Sequence, residues 1–273
     1  RSFMENVFMI SVVMSVYSEP IEWIKESVES ILNQSYDNFE FIIVNDKPTR
    51  KENSIVLNEF KAKDNRIKII SNEFNLGLTK SLNKALKLSS GRYIARMDAD
   101  DISVLSRFEK QFQFLESNKD YVLCGSLRID MINNSEKLII LPTADNDIKI
   151  EMLLRNRITH PTVMIRSSTL IDNNLIYDEN IKKAQDYELY CRLSHYGKFH
   201  NIAEPLLKYR ISDNQISKKS YKEQFFYGNL NKKKYIKMFF HTQYEIDVGA
   251  KDSFKQILKV NICPPKKEIL ISA

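Results

Sequence analysis

From Phe8 to Val16 the chain is an almost unbroken apolar run. A strand apolar on both sides has to be covered on both faces, which points to a parallel sheet layered between helices. The pattern then repeats. Pro20 suits the first turn of a helix, and Ile24, Val28, Ile31 and Leu32 recur at helical spacing. Phe39 to Val44 reads as a second buried strand, ending at Asn45-Asp46, followed by a polar helix and a short strand at Ile67 to Ile70. Leu78, Leu82, Ala85 and Leu86 mark the next helix, closed by Gly91 just beyond it. Tyr93 to Met97 is another strand, running straight into Asp98-Ala99-Asp100-Asp101. Repeated βαβ units predict an α/β fold with a mostly parallel, doubly wound sheet.

After Asp101 the rhythm changes. Phe108, Phe112 and Leu115 give one amphipathic helix, and Asn133-Asn134 between apolar-rich runs reads as a hairpin turn. Thr162 to Ile165 is expected to be a strand, and Asp186 to Tyr196 a helix. Without an internal repeat or low-complexity linker, residues 1–217 read as one domain and residues 218–273 as a basic, aromatic, mainly helical extension. Charge marks the same boundary. The chain carries 41 Lys plus Arg against 35 Asp plus Glu, a net charge of +6. Seven lysines and one glutamate between Lys218 and Phe240 account for all of that excess. Seven aromatic residues interleave with them, from Tyr221 to Phe240. Such a segment suits an anionic membrane surface, packing on the preceding domain or a second subunit, or a nucleic acid, for which no recognition motif is present.

With 43% hydrophobic residues the chain buries enough surface to fold, so disorder is excluded. No stretch approaches the roughly 20 apolar residues of a spanning helix. The N-terminus shows no basic-then-apolar signal pattern, and Arg1-Ser2-Phe3 ahead of Met4 reads as an appended leader. Cys124, Cys191 and Cys263 are too few and scattered for a disulfide framework or zinc knuckle, which suits a reducing cytoplasm. Cys124 and Cys191, in apolar surroundings, read as packed thiols.

In open α/β sheets ligands bind beyond the carboxyl ends of the strands. The first strand ends near Ser15-Val16-Tyr17, the second at Asp46 and the fourth at Asp98 and Asp100, so all converge on one crevice. Clustered carboxylates repel one another, and a hard divalent ion, Mg²⁺ or Mn²⁺, is the simplest compensation. The turn after the first strand, Tyr17-Ser18-Glu19-Pro20, is no G-x-G-x-x-G, and no Walker pattern occurs. With six glycines in all, a metal is a better route to phosphates than a glycine-rich cradle.

Several segments also resemble a family when taken together and in order. Ile10 to Tyr17, Ser30 to Tyr36, Phe39 to Asp46, Asn75-Leu76-Gly77 and Gly91 to Asp101 are similar to the family 2 inverting glycosyltransferases, over roughly residues 8–215. That resemblance implies the GT-A fold. It implies that Asp98 and Asp100 form the D-x-D motif holding Mn²⁺ or Mg²⁺ on the diphosphate of a sugar nucleotide. Asp46 matches the carboxylate that accepts a hydrogen bond from uracil, which favours a UDP-sugar. Ser15 and Tyr17 match the first-strand positions flanking the base, and Gly77 the loop beneath the nucleotide; Glu19, in the turn between them and the first helix, is a further candidate for nucleotide binding. Arg96 and Arg210 are expected near the phosphates, and Asp186, after Gln185, as the general base. A single displacement then inverts the anomeric carbon without a covalent nucleophile.

Three departures from the family pattern stand out. Asn45-Asp46-Lys47-Pro48-Thr49-Arg50 loses one carboxylate and gains two cations, Gln185 replaces a glutamate, and Ser212 stands where a metal-assisting histidine is usual. Two local residues read either way: His160 as ligand, acceptor contact or core histidine, and Arg107 as an offset to the acidic motif's charge or a phosphate contact, or, as favoured, a structural ion pair. The expected activity is transfer of a hexose or N-acetylhexosamine to a glycan or lipid-linked acceptor in capsule, O-antigen or lipooligosaccharide synthesis. A lipid-linked acceptor favours the membrane reading of residues 218–240, with the protein cytoplasmic and peripheral on the inner face of the cytoplasmic membrane. The rival from another class is a non-catalytic nucleotide-sugar-binding or scaffold subunit. A sugar-1-phosphate nucleotidyltransferase is disfavoured, because Ser18-Glu19-Pro20 offers no glycine- and arginine-rich loop.

Overall fold

The computed structural model describes residues 8–133, 135–212 and 221–243, and its strands form one sheet. In the first half β1 (Ile10–Val16), β2 (Phe39–Asn45), β3 (Ile67–Ser71) and β4 (Tyr93–Arg96) are all parallel, in the spatial order 3-2-1-4. Helices α1 (Ile21–Leu32), α2 (Lys51–Lys63) and α3 (Leu78–Leu88) make the crossovers. Every residue of β2 is buried, and its side chains alternate between two cores. Ile42 and Val44 face Leu82 and Ala85 of α3, whereas Phe41 and Ile43 share the opposite core with Ile24, Val28 and Ile31 of α1.

One polar residue in that buried strand needs an account. Glu40 is wholly buried, and its carboxylate accepts from Ser11 Oγ at 2.5 Å, Ser90 N at 2.7 Å and Lys68 Nζ at 2.6 Å. Burial pushes its carboxyl up, but Lys68, Ser11 and Ser90 outweigh that and hold it below the ordinary carboxylate range. The network ties down the turn before β4. Gly91 there is not the expected helix closer, since α3 ends at Leu88 with Ser89 as its C-cap. It is needed for close approach, because a Cβ at this position would lie 2.5 Å from Ser11 N.

Beyond β4 the sheet is mixed. β8 (Met164–Arg166) pairs antiparallel with β4 and with β6 (Tyr121–Ile132). β9 (Lys198–Ile211) runs parallel to β6 and antiparallel to the short β5 (Ile102–Ser103). The expected hairpin joins β6 to β7 (Ser135–Ile139) through Asn133, which has a φ of 52°; Asn134 lies outside the described residues. The strand expected at Thr162–Ile165 begins later, because Pro161 lies in a 3₁₀ turn spanning His160–Thr162.

Helix α4 (Arg107–Ser117) covers the α1 face. Residues of α5 (Asp145–Met152), α6 (Ser167–Asp172), α7 (Gln185–Leu193) and α8 (Tyr221–Gln243) join the α3 face. Among the described residues no helix is long and apolar enough to cross a membrane. The α8 helix packs on α7, with Tyr235 wholly buried and Ile236 nearly so, so packing accounts for one of its faces. The division drawn at residue 217, the end of the chain and Cys263 lie outside the described residues. Cys124 and Cys191 are buried free thiols.

Candidate active site

The acidic motif lies where β4 leaves the sheet. One carboxylate oxygen from each of Asp98, Asp100 and Asp101 lies within 4.8 Å of the others. At that separation the three carboxylates would hold one hard divalent ion after small side-chain shifts. The backbone is held from several sides. Ser27 Oγ donates to the Asp98 carbonyl at 2.7 Å, Arg210 Nε to the Asp100 carbonyl at 2.9 Å, and Arg210 N to Asp101 Oδ1 at 2.9 Å. Asp101 Oδ2 is buried with no hydrogen-bond partner. A buried carboxylate oxygen without a partner, on a residue clustered with two more carboxylates, fits a hard divalent cation.

The electrostatics agree. Burial, then the charges of Asp98 and Glu19, push the Asp100 carboxyl up to about 7. Burial, then Asp100 and Asp98, raise Asp101 well above the carboxylate range, and burial raises Glu19, with Asp98 adding to the effect. The main counter-charge is Arg96, 2% exposed and ion-paired with Asp98. Its Nε and Nη1 have no hydrogen-bond partner. Arg107 is structural, but it bonds the Arg96 carbonyl at 2.8 Å and Gln111 Oε1 at 3.0 Å in place of the expected ion pair.

The β1 end supplies a second wall. Ser15 is half-buried, whereas Tyr17 is 40% exposed with Lys47 Nζ 4.9 Å from its ring centre. Tyr17 N donates to Glu19 Oε2 at 2.8 Å, and Arg50 Nη1 donates to the Glu19 carbonyl at 2.6 Å. The two cations that depart from the family pattern therefore brace this turn.

Asp46 is 2% exposed and organises the loop ahead of α3. Its Oδ1 accepts from Asn72 Nδ2 at 2.7 Å and Leu76 N at 2.8 Å, and its Oδ2 from Gly77 N at 2.9 Å. A carboxylate offers about four acceptor positions, so one is left for a ligand. Gly77, at a φ of 84°, takes the left-handed turn that starts α3.

Asp186 stands in the first turn of α7, behind Ala184, whose φ of 57° is left-handed. Its Oδ2 accepts from Asn156 Nδ2 at 2.9 Å. Burial raises its carboxyl; its own turn's amides and Arg96 oppose that, and Asp98 adds to it, so Asp186 and the acidic cluster share one field around Arg96. His160 faces Tyr177, with Nε2 and the hydroxyl 2.7 Å apart. Burial, then Arg96, hold the imidazole far below its usual range, hence neutral, and it lies outside the acidic cluster. Arg210 stacks on Trp23 at 4.7 Å and pairs with Glu26. Ser212 directly follows β9. Asp101, Asn156 and Tyr177 join the site without having been singled out from sequence. Asp101 had a signal in the adjacent Asp98-Ala99-Asp100 triplet, whereas Asn156 and Tyr177 had none.

A strand-end crevice of this kind, on a sheet turning from parallel to mixed, is the GT-A glycosyltransferase architecture. The structure of Staphylococcus aureus TarS residues 1–349 with UDP-GlcNAc superposes with a TM-score of 0.71 at 18% identity, covering 93% of this chain and 72% of that one. The glycosyl transferase family 2 model matches residues 11–173, and the chain belongs to that family. A Methanocaldococcus jannaschii glycosyltransferase, MJ1057, is 40% identical over 216 residues, 77% of this chain and 74% of the relative. The Escherichia coli O-antigen biosynthesis glycosyltransferase WbnJ is 33% identical over 215 residues, 77% and 82% of the two chains. Asp46, Asp98, Asp100 and Asp101 fall within the family match, whereas Asp186 and Arg210 lie beyond it.

Proposed function

We propose that the protein is an inverting glycosyltransferase that moves a hexose or N-acetylhexosamine from a UDP-sugar to a glycan or lipid-linked oligosaccharide in surface-polysaccharide synthesis. The observation that carries this reading is the Asp98–Asp100–Asp101 cluster, with Asp186 in the same electrostatic field. The resemblance to TarS with UDP-GlcNAc supports a uridine nucleotide, and WbnJ supports the polysaccharide setting.

Asp98, Asp100 and Asp101 would hold Mn²⁺ or Mg²⁺, which when bound neutralises charge on the departing diphosphate. Tyr17 and the Asp46-held loop through Gly77 flank the base, with Ser15 and Glu19 at the same strand end. Arg96 keeps Asp98 oriented from beneath, and Arg210 braces the motif at the Asp100 carbonyl and the Asp101 carboxylate. Asp186 takes the proton of the acceptor hydroxyl as that oxygen attacks the anomeric carbon opposite the diphosphate, so configuration inverts in one displacement. Asn156 donates to the Asp186 carboxylate and fixes one of its oxygens.

The outer face of α8 suits the anionic inner surface of a cytoplasmic membrane. Phe226 and Leu230 are 64% and 38% exposed, beside exposed Lys233 and Lys234 on the same face. Aromatics at the headgroup boundary with lysines above it are the interfacial pattern.

Calorimetric titration of UDP with and without Mn²⁺, beside other nucleotides, tests the donor site. Metal-dependent binding of UDP alone is the expected result, and binding of no nucleotide refutes the reading. Release of UDP from a UDP-sugar, with water as slow acceptor, separates an enzyme from a non-catalytic binding subunit.

A further inference from the structure

Helix α8 reaches the turn that carries Asp186. Three non-glycine residues among those described have positive φ, namely Asn133, Asn174 and Ala184. Asparagine tolerates the left-handed region through its short polar side chain, whereas alanine crowds its Cβ against the following carbonyl. Ala184 is held there, at φ 57° and ψ 33°, as the residue from which α7 starts. Such a conformation persists only where the surroundings over-determine it.

Its carbonyl accepts two hydrogen bonds. One is the first bond of α7, from Glu188 N at 3.2 Å. The other comes from Asn231 Nδ2 of α8, at 2.9 Å. Asn231 is 1% exposed, and one helical turn further on Tyr235 is buried with its hydroxyl donating to the Lys149 carbonyl at 3.3 Å. The donor is therefore locked on a docked helix. Asp186 follows Ala184 by two residues, so a change of backbone region at Ala184 redirects the first turn of α7. The Asp186 carboxylate would then leave Asn156.

We propose that Asn231 is a positioning residue for transfer: by holding the Ala184 carbonyl it keeps the left-handed turn that aims Asp186 into the crevice. The docking of α8 on α7 thereby becomes a condition for full activity. This inference rests on Asp186 being the base.

The test uses the full chain, with Asn231→Ala and Ala184→Gly made singly and together. Turnover is read as UDP release from the UDP-hexose that reacts fastest, with water as acceptor. Asn231→Ala should lower kcat about tenfold, equivalent to ~1.4 kcal/mol, and leave the Kd for UDP in Mn²⁺ unchanged. Ala184→Gly should leave kcat near wild type. The double variant should regain most of the loss, because glycine takes the left-handed region about as readily as the right-handed one. A purely structural role would lower Tm without any rescue of kcat by glycine. If the alanine variant does not fold, Asn231→Leu fills a similar volume without a donor and carries the same expectation. Wild-type kcat in the Asn231 variant, a double variant as impaired as the single, or loss of UDP affinity in step with kcat each overturns the proposal. Asp186→Asn, measured alongside, separates the two readings. If it stays active, or no UDP-hexose reacts, the assignment of the base fails. If it is inactive while Asn231→Ala is normal, only the positioning role fails.

Discussion

Asp101→Asn should stabilise the metal-free protein while abolishing its response to Mn²⁺. The side chain keeps its shape and still accepts from Arg210 N through Oδ1, so the backbone brace survives. What disappears is one of three carboxylates whose nearest oxygens lie within 4.8 Å, where two full charges repel by ~3.5 kcal/mol at an effective dielectric of about 20. Arg96 and partial protonation offset much of that, leaving an expected gain of about 1–2 kcal/mol. At 2–4 °C per kcal/mol for a chain near this size, metal-free Tm should rise by roughly 2–8 °C. The assay is calorimetry in EDTA at about pH 8 and again with Mn²⁺. A metal at about 100-fold its Kd adds ~2.7 kcal/mol to the wild type, and the variant should gain almost none. The pH dependence has a definite sign. Asp100 titrates at about 7 in the folded protein against ~3.9 unfolded, so its contribution is fully present below about pH 4 and lost as pH rises through about 7. The advantage of the variant should therefore be largest above about pH 7 and vanish near pH 4. A lower metal-free Tm in the variant, or a retained Mn²⁺ response, would refute the assignment of these carboxylates as a cation site.

Asp186→Asn should cut transfer about 10²–10⁴-fold, the usual worth of a general base, with UDP and Mn²⁺ binding intact by calorimetry. Lost nucleotide binding would place Asp186 elsewhere in the mechanism. Since burial raises the Asp186 carboxyl, wild-type activity should climb with pH through a limb above the ordinary carboxylate range, and a plateau already reached near pH 4 would contradict the base. Replacing Lys233 and Lys234 together by Gln should weaken sedimentation with anionic vesicles by ~2 kcal/mol, about 30-fold, with no change on neutral vesicles. Equal binding of wild type to both vesicle types would remove the membrane role. Gly91→Ala should cost about 1–3 kcal/mol in urea unfolding, because the new Cβ meets backbone of Ser11 and Ile10 at 2.5 and 2.8 Å. An unchanged midpoint would show that the strand ends can separate freely.

The parallel half of the sheet was legible because burial on both faces leaves a direct mark in sequence. Ile10–Val16 and Phe39–Val44 have almost no polar residue to spare, and the helices between them show apolar spacing on one side. The second half carries no such mark. β8 has three residues, and β5 has two. Each is too short for a period, and each exists because longer neighbours present an edge to pair with. Pro161 hides the boundary further, by placing a 3₁₀ turn where apolar content alone reads as strand.

The site divides along the same line. Asp46, Asp98 and Asp100 end strands whose positions follow from local pattern, so their convergence could be reasoned from topology before any coordinates. Asp186 could be matched only to a short motif, because its place depends on a turn that alanine does not favour by itself. That turn is held by Asn231, 47 positions further along the chain. Asn156 likewise gives no signal, since an amide bonding a carboxylate 30 positions away has no periodicity to betray it. Strand ends are thus set by local sequence, whereas the place of Asp186 depends on long-range hydrogen bonds to single side chains. This division implies that substitutions at the strand ends should affect metal and nucleotide affinity, and those at Asn156 and Asn231 the rate alone.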